Sequence, residues 1–380
     1  MAFEELTRII DAMPSWDIPA ADCMIYYKRK PIFRHMTGFA DREAGVPVTE
    51  DTLYNLYSAS KVATCTAALT LLDKGCYRLD DPVSAYIPAY DHLTVKDAST
   101  GEIREAKNTL TIRHLFTMSG GLDYDLDTPG ISAVRKEKGE QATTLDYVKS
   151  FAEKPLGFEP GTHYRYSLCH DVLGALIEVW SGMRFGDYLR KTIFEPVGMN
   201  RTGFERNDDI DAQMAYQYFC FDHRDGSYKD KNKGCFARLG PQYESGGGGL
   251  HSCVEDYAKF ADMLANGGVT AAGERIVRKE TIDLMRRDQL DDVLRADFRR
   301  DIAVGKIGYS YGLGVRTLID PACSPSPCGE FGWDGALGAF MLIDPTNEFA
   351  IFYAQHESGA PWHHIEIRDA AYRGLKEWTR

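Results

Sequence analysis

The chain has 380 residues, 44% of them hydrophobic and 26% charged, with a formal net charge of −12. That length supports one large domain or two ordinary ones around a sizeable core. The acidic balance argues against binding a nucleic-acid backbone or an anionic membrane, and no run is long and apolar enough to span a bilayer.

The opening stretch, MAFEELTRIIDAM, carries Glu4, Glu5 and Asp11 where a secretory signal needs a basic end and an apolar run. It reads instead as a short amphipathic helix packing through Phe3, Ile9, Ile10 and Met13. Nine irregularly spaced cysteines fit reduced thiols in a cytoplasm. Cys323 and Cys328 read as incidental neighbours in a turn-rich loop rather than a disulfide or metal pair. CMIYYKRKPIFRHMTGFAD predicts an antiparallel hairpin turning at KRKP. A helix follows over LYSASKVATCTAALTLLDKG, with Val62, Cys65, Ala68, Leu69 and Leu72 as its apolar stripe and Gly75 as its stop. LDDPVSAYIPAY breaks regular structure.

From about residue 108 to 205 the pattern is mostly helical. Residues 212 to 240 are rich in Tyr and Phe, then charged, around a turn at Asp225-Gly226. SGGGGL reads as close packing or a turn, since it lacks the Gly-Lys-Ser/Thr ending of a phosphate loop. A helix ending at Gly267 comes next, and the charged 285–305 segment reads as a solvated helix. Three strand-like runs lie at YSYGLGVRTL, AFMLIDP and FAIFYAQH. HHIEIRD reads as the exposed start of a last helix running from about Trp362 to Trp378. The economical fold is α+β: an antiparallel sheet built from both chain ends and flanked by helices, with a mostly helical domain inserted. The boundaries expected are 1–88 with 241–380 for the sheet domain and 89–240 for the insertion.

One lysine stands out. Lys61 falls in the first turn of its helix, where the dipole is positive and a cation is disfavoured. It lies three residues after Ser58, on the same helical face. A serine at a helix N-terminus can become an alkoxide-like nucleophile, with its own N–H available as half of an oxyanion hole. Dipole and burial together make a neutral amine accessible at Lys61, suited to accepting the serine's proton. No Gly-x-Ser-x-Gly elbow and no zinc-protease pattern is present, and His251 and His356 read as structural histidines.

With those residues in view, the sequence resembles the penicillin-recognising serine hydrolases: class C β-lactamases, D-alanyl-D-alanine carboxypeptidases and, closest, the family VIII carboxylesterases. The similarity runs in order through LYSASK, LLDKGCYRLDDPVSAYIP, LTIRHLFTMSGGL, FEPGTHYRYSLCHDVLGALIEVWSG, ESGGGGLHSCVEDYAKFADMLANGG and FGWDGALGAFMLIDP. It implies a β-lactamase/DD-peptidase-like fold, Ser58 as nucleophile, Lys61 as proton-relay partner, and Tyr166 as the phenol that works with Lys61. It also implies that the Ala336 N–H, just past Gly335, completes the oxyanion hole with that of Ser58. No metal or other cofactor is called for.

Two departures bear on substrate. Tyr166-Ser167-Leu168 lacks the asparagine that holds an acyl-amide side chain, so Leu168 offers an apolar wall. Trp333-Asp334-Gly335 stands where the family carries Lys-Thr-Gly; the carboxylate-binding cation is gone, and Asp334 would repel an anionic substrate unless strand alternation turns it away. The expectation is a serine hydrolase acting through an acyl-enzyme on small neutral or apolar acyl esters. Leu168, Trp333, Asp334 and Gly335 would line its substrate site. The same residues would serve a β-lactamase, a D-amino-acid peptidase or amidase, or an acyltransferase, and a catalytically inactive scaffold would keep the fold.

Overall fold

The computed structural model describes residues 2–222, 227–235, 238–302, 306–358 and 362–380. In chain order, helix α1 (Glu4–Ala12) leads into strands β1 (Ala20–Tyr27), β2 (Lys30–Asp41) and β3 (Val46–Pro47), then helix α2 (Ser60–Asp73). Helices α3 (Cys169–Ser181), α4 (Val254–Ala265) and α5 (Asp292–Asp301) follow. Strands β4 (Tyr309–Tyr311), β5 (Arg316–Leu318), β6 (Phe331–Gly332), β7 (Phe340–Asp344) and β8 (Phe349–Gln355) precede helix α6 (His364–Trp378).

The eight strands form one sheet in the order β4-β5-β6-β7-β8-β1-β2-β3. Every neighbouring pair is antiparallel, so β1 from one chain end lies between β2 and the C-terminal β8. The β1–β2 hairpin turns at Lys28 and Arg29, both with positive φ, as a tight two-residue turn between right-twisted strands requires. YSYGLGVRTL holds two strands rather than one, because Gly312-Leu313-Gly314 turns the chain back, with Gly314 at φ 84°.

The central strands are apolar apart from Asp22, Asp344 and Gln355, because both faces are covered. Ala21, Cys23 and Ile25 of β1, with Phe349, Ile351 and Tyr353 of β8, pack against Phe3, Leu6 and Ile10 and against Ile367 and Ala371 of α6. The alternate residues Ala20, Met24, Tyr26, Ala350, Phe352 and Ala354 join the main core with α4 and α2. Helix α2 has no solvent face: twelve of its fourteen residues, Ser60 to Leu71, are buried, Thr64, Thr66 and Thr70 among them. The apolar stripe expected for α2 therefore understates its burial, and the threonine hydroxyls are satisfied by Ser60, Val62 and Ala67 carbonyls inside the helix.

Between α2 and α4 short helices alternate with long irregular stretches, and the chain also forms two hairpins, Thr94–Lys96 with Ile103–Glu105 and Gln217–Asp222 with Ser227–Asn232. The turn expected at Asp225-Gly226 lies outside the described residues. Helix α5 is the charged segment read as solvated; it buries only Leu294, Asp297 and Phe298. The HHIEIRD stretch departs from expectation, because His364 is buried and its ring stacks on Phe340 and Trp362. Among the described residues no helix is long and apolar enough to cross a membrane.

Candidate active site

Ser58 sits in a 3-10 turn, Tyr57–Ala59, that runs directly into α2 at Ser60. Tyr57 holds φ at 45°, a region that a bulky residue enters only when its surroundings enforce it. Those surroundings are specific. The Leu56 N–H donates to the Leu250 carbonyl at 2.9 Å, the Leu250 N–H donates to Ser60 Oγ at 3.2 Å, and the Tyr257 hydroxyl donates to the Ala59 carbonyl at 2.9 Å. The serine is thus presented by a turn clamped to the strand-like stretch before α4.

Lys61 is fully buried, with three acceptors around its Nζ: the Gly247 carbonyl at 2.5 Å, the Tyr124 hydroxyl at 2.8 Å and Ser58 Oγ at 3.4 Å. Three acceptors match the three hydrogens of an ammonium. A neutral amine would keep the two shorter bonds and aim its lone pair at Ser58. The ammonium also lies over the ring of Tyr166, 4.6 Å from its centroid. The hydroxyl that meets Lys61 is therefore that of Tyr124, and Tyr166 offers its face. Tyr124 was not among the residues the sequence singled out, since nothing in SGGLDYD distinguishes it from twenty other tyrosines.

Tyr166 is set by Trp333, whose Nε1–H donates to the Tyr166 hydroxyl at 3.0 Å while the two rings stack 5.6 Å apart. Tyr124 and Tyr166 pack at 5.5 Å. The indole is thus an uncharged donor aimed at the phenol.

Two glycine segments allow these approaches. A Cβ on Gly247 would lie 2.4 Å from Asp171 Oδ2, and one on Gly246 would lie 2.2 Å from the His170 carbonyl oxygen. SGGGGL is therefore close packing, as its composition suggests, and it delivers the Gly247 carbonyl to Lys61. A Cβ on Gly335 would lie 2.3 Å from the Leu56 carbonyl oxygen, so only glycine lets the Trp333–Gly335 stretch touch the segment before Ser58. The Gly335 N–H donates to the Ala339 carbonyl at 2.8 Å and fixes the turn that carries Ala336.

Asp334 corrects the sequence reading. Its side chain is 7% exposed and does not line the cavity of Ser58. It pairs with Lys306 and, at 2.8 Å, with Arg316, whose other nitrogen donates to the Met341 carbonyl. Burial works against its charge, but Arg316 and Lys306 hold its carboxyl well below the usual carboxylate range. Its charge is spent on these two cations, so it does not repel substrate.

Ser58, Tyr166, Leu168 and Ala336 line one cavity of about 220 Å³, together with Tyr57, Tyr124, Leu126, Ser245, Gly247 and Gly248. None of these lining side chains is charged. Trp333 and Gly335 stand behind this wall and shape it through Tyr166 and Ala336. His251 and His356 stay apart as buried, neutral rings, each pushed down to about 4 mainly by burial. His170, beneath Lys61, is also held neutral by burial and by the lysine's charge. Chemically, a hydroxyl beside an amine, with two phenols and an apolar chamber, can carry out acyl transfer through a covalent serine intermediate.

The sequence matches the Beta-lactamase family over residues 6–373. It is 28% identical over 366 residues to Esterase EstB of Burkholderia gladioli, covering 90% of this chain and 87% of that protein. It is 26% identical over 335 residues to Acyltransferase calJ of Penicillium decumbens, covering 82% and 77%. Among solved structures, EstCE1, a hydrolase with promiscuous acyltransferase activity, superposes with a TM-score of 0.78 at 23% identity, over 97% of this chain and 98% of that one. With a match spanning nearly every residue and a fold to go with it, the chain belongs to the Beta-lactamase family, among the penicillin-recognising serine hydrolases.

Proposed function

We propose that the protein is a carboxylesterase that hydrolyses small neutral or apolar acyl esters through an acyl-Ser58 intermediate. Ser58 Oγ attacks the ester carbonyl as its proton passes to neutral Lys61. The N–H groups of Ser58 and Ala336 hold the oxyanion. Collapse of the tetrahedral intermediate breaks the C–O bond, and the leaving alkoxide takes the proton back from Lys61, whose Nζ is hydrogen-bonded to the Tyr124 hydroxyl and lies over the ring of Tyr166. Water then attacks the acyl-enzyme by the same relay, releasing the acid and restoring Ser58. Cys23, Cys65, Cys76, Cys169, Cys253, Cys323 and Cys328 carry free thiols, in keeping with a cytoplasmic location.

The observation that carries this reading is the cavity lining, which holds aromatic and aliphatic side chains, glycines and hydroxyls but no cation for a substrate carboxylate. Leu168 supplies a wall where an asparagine would grip an amide. A second reading, transfer of the acyl group to an alcohol, draws on the same apolar chamber, which favours an organic acceptor over water, and on the similarity to Acyltransferase calJ.

Intact-mass labelling with a fluorophosphonate, with Ser58→Ala as control, tests the nucleophile. Turnover of p-nitrophenyl acetate and butyrate against a chromogenic cephalosporin tests the substrate class. Faster turnover of the cephalosporin refutes the ester preference, and absence of a Ser58 adduct refutes the enzyme mechanism.

A further inference from the structure

Asp171, in the first turn of α3, is fully buried. Its Oδ1 accepts hydrogen bonds from the Tyr243 hydroxyl at 2.7 Å and the Ser245 hydroxyl at 2.6 Å. Its Oδ2 has no partner among the described residues. That oxygen faces Gly247, where a Cβ would lie 2.4 Å from it and 3.2 Å from the Tyr124 hydroxyl. The carbonyl of the same glycine takes the hydrogen bond from Lys61 Nζ. A carboxylate and an amine, both sealed from water, therefore stand on either side of one glycine residue. A bare carboxylate oxygen in a protein interior is costly unless a positive charge lies close by.

We propose that Asp171 is a positioning residue that acts through Lys61: across Gly247 it supplies the counter-charge that keeps the buried amine able to take up the proton of Ser58, and it braces the 245–248 loop that holds that amine in place. The titratable groups facing Lys61 are the phenols of Tyr124 and Tyr166, the thiols of Cys65 and Cys169, the His170 ring, and Asp171. Burial raises both thiols, and burial with the lysine's own charge keeps His170 neutral. That leaves Asp171 as the acidic side chain of this group that balances the lysine. The two hydroxyls on Oδ1 fix its direction, and one of them, Ser245, lines the acyl cavity.

The inference rests on the serine hydrolase reading, and its test separates the two. Wild-type enzyme is first labelled with the fluorophosphonate; no label at Ser58 overturns the parent reading. With Ser58 labelling established, kcat/KM for p-nitrophenyl butyrate is followed on fresh, unlabelled enzyme from pH 5 to 9 in wild type and Asp171→Asn. The amide keeps the shape and both hydroxyl contacts but removes the charge. Without it the ammonium form is less favoured, so the acid limb of the profile moves to lower pH by about one unit, while thermal melting confirms the fold. An acid limb unmoved in a folded Asp171→Asn overturns the inference, since a merely structural residue changes the melt and not the limb. If that variant does not fold, Tyr243→Phe carries the test: with one of its two donors gone the carboxylate is held less firmly across Gly247, and the limb moves in the same direction by less. An unmoved limb there overturns it equally.

Discussion

Gly335→Ala tests the geometry on which oxyanion stabilisation depends. The added methyl would lie 2.3 Å from the Leu56 carbonyl oxygen and 3.0 Å from Ala339 Cβ, whereas ordinary contact begins near 3.4 Å. Leu56 cannot yield, because its N–H is bonded to Leu250 and Ser58 follows two residues on. The strand must therefore retreat by roughly 1 Å, carrying Ala336 away from Ser58. A misplacement of that size, or loss of one oxyanion donor, costs about 10²- to 10³-fold in kcat. Stopped-flow acylation with p-nitrophenyl butyrate, alongside thermal melting, reads the effect directly. The expected result is a large fall in the acylation rate with KM changed little and Ser58 still labelled by a fluorophosphonate at reduced rate. A fall of less than about threefold, with the melt unchanged, would refute the assignment of Ala336 as a donor.

Trp333→Phe keeps the stack on Tyr166 but removes the Nε1–H donor, so kcat/KM for esters falls by about 5- to 10-fold, the worth of one hydrogen bond to the phenol; Tyr166→Phe combined with it should then show no further loss from the tryptophan change. Leu168 is shared between the acyl cavity and a small hollow lined by Leu122, Phe151 and Leu156. Leu168→Ala should shift the preferred ester toward acyl chains longer by about two carbons, read as kcat/KM across a chain-length series, at a stability cost of about 2–4 kcal/mol. Asp334→Asn takes the paired carboxylate from Lys306 and leaves Arg316 with Glu330 at 3.7 Å, and it should destabilise the fold by about 3 kcal/mol in urea titration without changing acyl preference. His251 and His356 are held at about 4 against 6.5 in the unfolded chain, so they contribute stability above pH 6.5 that is lost as pH falls toward 4. Each accounts for about 1.4 kcal/mol per pH unit in that window. His251→Gln should therefore flatten the dependence of the urea midpoint between pH 6.5 and 4.5.

Much of this was legible in the chain before it folded. The hairpin at Lys28-Arg29, α2, α4, α6 and the sheet drawn from both ends follow from periodicity and turn residues, which act over a few positions. The pairing of Ser58 with Lys61 is of the same kind: the helical repeat alone puts them on one face. Where local patterns misled, burial was the reason. Helix α2 carries threonines on faces that read as solvent-exposed because it is surrounded on all sides, and His364 looks like a surface residue until Phe340 and Trp362 close over it.

The partners of the lysine belong to another category. Tyr124 is 63 residues from Lys61 in the chain and Gly247 is 186 away, and no repeat or spacing marks either of them. Likewise only the completed sheet turned Trp333 toward Tyr166 and Asp334 toward Arg316 and Lys306. By itself, the sequence determined the helix that presents a serine beside an amine, since that depends on bonds within one turn. Which hydroxyl meets that amine, where the carboxylate spends its charge and how an apolar chamber closes over the serine were decided by packing, because each needs segments that share no local signal to arrive within a few ångströms of one another.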